Sequence, residues 1–142
     1  MVVEDNETDL YLLKRFLSAE PPVQHLLRAR DGEEGIELLN EFASGGRGSM
    51  PDLIVVDLNL PRVNGHEVLA YLRAQQAFQK TPVIVVTSCE AEAERKKAIE
   101  GGADGYFVKP FDIASYRRLP DAIAQARRVR AERLAHPQTG VS

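Results

Sequence analysis

The sequence lacks the features that mark several specialised classes of protein. It has no tryptophan and a single cysteine, Cys89, so an internal disulfide is excluded and a reducing compartment, the cytoplasm, is expected. No apolar run approaches the roughly 20 residues that a membrane-spanning helix needs. Acidic residues at positions 4 and 5 argue against a secretory signal peptide. The formal net charge of −3 does not suggest direct nucleic-acid binding, and no membrane partner is expected.

What the sequence does contain is typical of one globular domain. Its 142 residues are 44% hydrophobic and 27% charged, which suffices for a buried core under a charged surface. We expect one domain over residues 1–135. Residues 136–142 are predicted to form a disordered tail.

Four short apolar runs each end at residues with charged or hydroxyl side chains. The runs are residues 1–3, 53–56, 83–86 and 106–108, and they are followed by Glu4 with Asp5, by Asp57, by Thr87 and by Lys109 respectively. Short, continuous apolar runs of this kind are typical of parallel strands buried on both faces. A further strand is expected over residues 24–29.

Helical patterns separate these strands. The first helix is predicted to be capped by Asn6 or Thr8 and to reach about residue 19. Asp31 and Asn64 each precede a glutamate by three residues, a pattern that opens a helix. The fourth helix is expected to begin near Glu90, and the last one either begins near Pro120 or is kinked there. Alternating strands and helices predict an α/β fold, a doubly wound parallel sheet of five strands with helices on both faces.

The residues that end the strands should meet at one edge of this sheet. In an open parallel sheet, ligands bind beyond the carboxyl ends of the strands. Three crowded carboxylates repel one another unless a cation joins them, and carboxylates are ligands that Mg²⁺ prefers. The pattern therefore predicts a metal-assisted phosphoryl acceptor, in which Lys109 and Thr87 bind phosphoryl oxygens.

The same residues resemble the receiver domain of two-component response regulators. The matching segments are Val3-Glu4-Asp5-Asn6, Asp52-Leu53-Ile54-Val55-Val56-Asp57-Leu58-Asn59-Leu60-Pro61, Asn64-Gly65, Pro82-Val83-Ile84-Val85-Val86-Thr87-Ser88, Gly102-Ala103-Asp104-Gly105-Tyr106 and Lys109-Pro110-Phe111. The resemblance covers residues 2 to about 128. It implies a flavodoxin-like sheet with strand order 2-1-3-4-5.

The resemblance also implies a role for each residue of the site. Asp57 would be the phosphoacceptor for a sensor histidine kinase. Mg²⁺ would be bound by Asp5, Asp57 and the main-chain carbonyl of Asn59, with Glu4 acting through water. Such a protein is a signalling protein rather than a conventional enzyme, although it assists its own phosphorylation and dephosphorylation. Tyr106, three residues before Lys109, lies where receivers carry a switch aromatic.

The expected output is a change of surface rather than an attached effector domain. The fourth helix, fifth strand and fifth helix would form the signalling face and a homodimer contact. Acidic residues Glu90, Glu92 and Glu94 would there oppose a basic C-terminal region. That region contains Arg117, Arg118, Arg127, Arg128, Arg130 and Arg133. A solvated helix face is the favoured interpretation of these arginines, and an interface with a second copy is the alternative.

Two other functions fit parts of the same pattern. Phosphatases of the haloacid-dehalogenase type also use an aspartyl phosphate, but they carry a second acid two residues after it, where this chain has Asn59. A flavin-binding module of the same shape would need a phosphate-binding loop after the first strand, and that loop is missing. The acidic motif with Asn6 and the long loops before the third and fourth strands resemble regulators that are paired with phytochrome-type histidine kinases.

Overall fold

A computed structural model describes residues 1–17 and 25–136 of the chain. Its centre is a five-stranded parallel sheet with strand order β2-β1-β3-β4-β5. The strands are β1 (Val2–Val3), β2 (Arg28–Ala29), β3 (Ile54–Val56), β4 (Val83–Thr87) and β5 (Gly105–Val108). The predicted fold class and strand order are confirmed.

Five α-helices connect and cover the strands. They are α1 (Glu7–Leu17), α2 (Gly32–Ala43), α3 (Gly65–Ala74), α4 (Glu92–Glu100) and α5 (Leu119–Ala135), with 3-10 turns at Gln76–Phe78 and Ile113–Arg118. The predicted caps form, because the side chains of Asp31 and Asn64 accept from the main-chain N–H groups three residues ahead. Asn6, rather than Thr8, caps α1 by accepting from the N–H of Asp9.

The sheet separates two hydrophobic cores. Val3, Val56 and Val85 face one side, where they pack with residues of α2, α3 and α4. Val55 and Ile84 face the other side, which α1 and α5 cover. The alternation follows from the two-residue period of strands, and burial on both faces explains why β3 and residues 83–86 of β4 are apolar.

Several predicted boundaries differ from those of the structure. The second strand is shorter than residues 24–29, and α4 begins at Glu92 rather than near Glu90. Pro120 lies in the first turn of α5, where its missing N–H costs no helical hydrogen bond, so the first of the two alternatives is correct. The predicted end of the first helix near residue 19 and all of the tail except His136 lie outside the described residues. Within the described ranges, no helix is both long enough and apolar enough to cross a membrane.

The favoured interpretation of the C-terminal arginines is wrong for one of them. Arg130 is buried, with 9% of its surface exposed, and its Nε lies 3.1 Å from Oδ1 of the buried Asp104. Arg133 and Arg73 also bind Asp104, at 3.2 and 2.9 Å. A long arginine stem can cover apolar surface while its guanidinium reaches a partner, so a helical face with arginine at an inward position is not necessarily solvated.

Candidate functional site

The carboxyl edge of the sheet brings the predicted site residues together. β1, β3 and β4 are neighbours in register, with Val3 beside Val56 and Val56 beside Val85. Residues that directly follow these strands must therefore lie side by side. The N–H of Asp57 donates to the carbonyl of Val3, and the N–H of Lys109 donates to the carbonyl of Thr87, which extends this alignment to β5.

Lys109 is the centre of the site. Its Nζ donates to Oε1 of Glu4 at 2.7 Å, to Oδ2 of Asp57 at 2.8 Å and to Oδ2 of Asp9 at 2.8 Å. Burial alone would lower the pKa of Lys109, but its hydrogen bonds to these carboxylates raise it well above its ordinary value. The ammonium therefore stays charged and neutralises part of the acidic cluster.

Asp57 is held as an anion. It is 5% exposed, and burial would raise the pKa of its carboxyl group. The hydrogen bond and charge of Lys109 outweigh that effect, helped by the N–H of Asn59 at 3.1 Å and by the Thr87 hydroxyl, so the pKa is lowered. A buried but ionised carboxylate retains the lone pairs that a nucleophile needs.

Glu4 is the most deeply buried acid of the site. Burial, with a smaller contribution from the charge of Asp57, raises its pKa, and the hydrogen bond and charge of Lys109 oppose the rise, so that the resulting pKa is about 7. Its Oε2 accepts a 3.3 Å hydrogen bond from the N–H of Asn6. At neutral pH in the absence of a cation, Glu4 is therefore poised between its two protonation states.

Three of the carboxylates could hold a metal ion. One oxygen each of Glu4, Asp5 and Asp57 lies within 4.8 Å of the other two. Glu4 and Asp57 are buried, whereas Asp5 is exposed, so the cluster is open to solvent on the Asp5 side. An all-oxygen donor set of few carboxylates, with room for water, fits Mg²⁺ or a similar divalent cation.

A match to a family model identifies the family of the chain. Residues 1–120 match the model described as "Response regulator receiver domain". The chain belongs to the receiver domain family of response regulators.

Individual relatives agree with this assignment. The polar-differentiation response regulator DivK of Brucella ovis is 31% identical over 116 residues, which cover 82% of this chain and 87% of DivK. The structure of the phosphorylated cyanobacterial phytochrome response regulator RcpA is similar, with a TM-score of 0.72 and 26% identity over 93% of this chain and 88% of RcpA. The Mn²⁺-bound form of response regulator Rcp1 gives a TM-score of 0.70 and 26% identity, covering 92% of this chain and 89% of Rcp1.

Thr87 and Tyr106 connect this receiver's acidic site to its fourth helix. Thr87 is fully buried, and its Oγ1 accepts from the N–H of Cys89 at 3.4 Å. The hydroxyl of Tyr106 donates to the carbonyl of Cys89 at 2.8 Å, and the guanidinium carbon of Arg95 lies 6.0 Å from the centre of the ring. Burial raises the pKa of Tyr106 to about 12, so the hydroxyl remains a donor. The loop after β4 is thus bonded to residues of both β4 and β5.

Two residues of this receiver's site were not predicted from the sequence. Asp9 binds Lys109 from the first turn of α1. Arg28, at the start of β2, donates to the carbonyls of Glu4 and Asp5 at 3.1 and 3.2 Å and so holds the acidic loop in place. The available signal for Asp9 was its position in the first turn of the helix that follows the Glu4-Asp5 edge, whereas no local pattern marks Arg28.

Proposed function

We propose that this chain is a response regulator receiver that accepts a phosphoryl group on Asp57 from a sensor histidine kinase, in a Mg²⁺-dependent reaction. The observation that carries the proposal is the position of the Asp57 carboxylate. It is ionised, 2.8 Å from the Lys109 ammonium, and within 4.8 Å of oxygens of Glu4 and Asp5. The family assignment supports it.

In the proposed reaction a carboxylate oxygen of Asp57 attacks the phosphorus of a phosphohistidine. The O–P bond forms as the P–N bond breaks, and the electron pair of that bond stays on the imidazole nitrogen. Lys109 and the Thr87 hydroxyl donate to phosphoryl oxygens. The burial of Asp57 keeps bulk water away from the resulting acyl phosphate.

Glu4, Asp5 and Asp57 would hold the Mg²⁺ ion, and the main-chain carbonyl of Asn59 is proposed as a further ligand. A bound cation supplies charge neutralisation for the incoming phosphoryl group. The donor set supports this, since it has carboxylates in excess over Lys109. Rcp1, which has been described in a Mn²⁺-bound form, supports a divalent ion in a similar receiver.

A kinase of the phytochrome type is the proposed partner. We expect this receiver to act in the cytoplasm. The similarity to RcpA, a phytochrome response regulator, supports this choice of partner. Three large apolar side chains are exposed and available to a partner: Tyr11 of α1, Phe111 of the loop after β5, and Ile113 of the 3-10 turn that follows it. A contiguous patch of such side chains would mark a protein-protein contact.

The proposed output is a change at the face formed by α4, β5 and α5, which we expect to form a homodimer. On α4, Ala98 is the buried residue, and Val108 of the edge strand β5 is 38% exposed. Movement of Thr87 towards a phosphoryl group would pull on the loop that holds Tyr106, and thereby bias α4 between two positions. In this account the chain is a signalling protein, and its output is a change of conformation.

Some of the charged residues expected at the dimer contact are already paired within the chain. Glu94 is paired with His66 of α3, and Arg130 and Arg133 are paired with Asp104. Arg118 and Arg128, which line an open groove beside Phe107 and Val108, are the better candidates to oppose Glu90 and Glu92. Arg127 donates instead to the carbonyl of Asp52.

Phosphorylation is tested with a small phosphoramidate donor and Mg²⁺, followed by intact-mass measurement. The wild-type chain should gain one phosphoryl group, Asp57→Asn should gain none, and a chelator should prevent the gain. Glu67→Gln, which removes an exposed acid from the first turn of α3, is the control. Labelling of Asp57→Asn at the wild-type level would refute the assignment.

The dimer is tested separately by light scattering in the presence of beryllium fluoride, which mimics a phosphoryl group. The combined variant Arg118→Glu and Arg128→Glu should weaken the dimer, with a larger effect at low salt. Arg127→Glu, which reverses one arginine charge outside the groove, should not weaken it. A strict monomer for wild type with and without the mimic would show that this face binds another partner.

A further inference from the structure

The ammonium group of Lys109 is fully used in the structure. It has three N–H donors, and its three carboxylate acceptors belong to Glu4, Asp9 and Asp57. A phosphoryl oxygen on Asp57 can therefore gain a hydrogen bond from Lys109 only if an existing one is given up.

Once Asp57 is phosphorylated, two of the three acceptors are still carboxylates, and burial ranks these two by the cost of losing Lys109. The side chain of Glu4 is 1% exposed, whereas that of Asp9 is 29% exposed. A buried carboxylate that loses its cation keeps the full cost of desolvation. Asp9 can instead turn to water, because it lies at the surface end of the cluster in the first turn of α1.

We propose that Asp9 is a positioning residue that competes with the phosphoryl group for Lys109. This inference rests on the proposed function of Asp57. When Asp57 carries a phosphoryl group, the N–H that faces Asp9 turns to a phosphoryl oxygen, the proton stays on Nζ, and Asp9 becomes hydrated. No covalent bond changes in this exchange.

Two consequences follow from the exchange. The negative charge of Asp9 repels the phosphodonor and occupies a donor that the phosphoryl group needs, so it slows phosphorylation. The exchange also unties the first turn of α1 from the end of β5, because the Asp9–Lys109 ion pair joins these two elements directly. Phosphorylation would thus be sensed at α1 as well as at α4.

The kinetic test compares variants of Asp9 at saturating Mg²⁺ with a small phosphoramidate donor. Asp9→Asn keeps an acceptor oxygen and removes the charge, and its initial rate of Asp57 phosphorylation should rise about threefold or more. Asp9→Glu, which restores the charge, should return the rate towards that of wild type. Glu67→Gln removes one exposed acid that does not contact Lys109, and its rate should stay within the error of wild type.

A measurement on the wild-type chain tests the exchange without any variant. Carbon-13 NMR of the carboxyl groups should show the Asp9 signal moving to that of a hydrated aspartate when beryllium fluoride and Mg²⁺ bind, while the Asp104 signal stays in place. If wild type is phosphorylated but Asp9→Asn is unchanged or slower, or if the Asp9 signal does not move, the exchange is refuted and the proposed function stands. If wild type is neither phosphorylated nor able to bind the mimic, both are refuted.

Discussion

Two buried charge clusters lie at opposite edges of the same sheet, and they are opposite in composition. At the carboxyl edge, one lysine is surrounded by the carboxylates of Glu4, Asp9 and Asp57. At the amino edge, one carboxylate, Asp104, is surrounded by three arginines. Each cluster has three charges of one sign around one of the other.

The partners available to the excess charges distinguish the two clusters. The arginines also donate to main-chain carbonyls, Arg73 to Gly102 and Phe78, Arg130 to Gln79. Asp104 itself accepts from the N–H of Val83 at 2.9 Å, at the start of β4. This cluster is closed, and it ties α3 and α5 to the sheet.

At the carboxyl edge, main-chain N–H groups of Asn6 and Asn59 also donate to the acids, but among the described residues Lys109 is the one cation paired with Glu4, Asp9 and Asp57. These carboxylates share one ammonium, and the exposed Asp5 adds a further negative charge beside them. Excess negative charge that is open to solvent favours the binding of a cation, and the bound cation can in turn neutralise an anionic group such as a phosphoryl group. We therefore propose that the carboxyl edge exchanges bound groups and that the amino edge holds the fold together.

The largest expected effect on stability comes from breaking the closed cluster. Asp104→Asn leaves three arginines without their carboxylate, so we expect a loss of about 3 kcal/mol in the free energy of unfolding, measured by urea titration. The folded fraction should still be phosphorylated on Asp57. A loss below about 1 kcal/mol would mean that the arginines are satisfied without Asp104.

The pH dependence of Glu4 gives a smaller effect. Its pKa is raised from an ordinary value of 4.5 to about 7, so the folded state binds the proton more tightly than the unfolded state. The resulting stabilisation is complete below about pH 4.5 and is lost as the pH rises through about 7, a change on the order of 2 kcal/mol. In a chelator, the difference in the free energy of unfolding between wild type and Glu4→Gln should change between about pH 4.5 and pH 7. A difference that does not vary with pH would contradict the raised pKa of Glu4.

The smallest expected effect comes from Asp5. Because Asp5 is exposed, its removal should relieve only part of the repulsion, and Asp5→Asn should raise the free energy of unfolding in a chelator by up to about 1 kcal/mol. The same change should weaken Mg²⁺ binding severalfold, as measured by calorimetry. Destabilisation together with unchanged Mg²⁺ affinity would show that Asp5 is not part of the cation site.

The sequence predicted the open edge better than the closed one for a physical reason. Strand ends follow from short apolar runs, and the residue after each run must lie at the carboxyl edge, so Asp57 and Lys109 could be placed without coordinates. The Asp104 cluster depends on how far arginine stems reach across separate elements, which no local pattern encodes. The same limit applies to Phe78, which is fully buried although it lies in the long loop expected before the fourth strand, because a single apolar residue has no period to reveal it.

The most direct test of the contrast between the two edges is to trap the acyl phosphate chemically. Borohydride reduces an aspartyl phosphate to homoserine, and peptide mass spectrometry then identifies the position. After treatment with phosphoramidate and Mg²⁺, we expect homoserine at position 57 and none at position 104. Homoserine at another aspartate, or its absence at position 57 in a chain that has gained a phosphoryl group, would contradict the assignment of phosphoryl chemistry to Asp57.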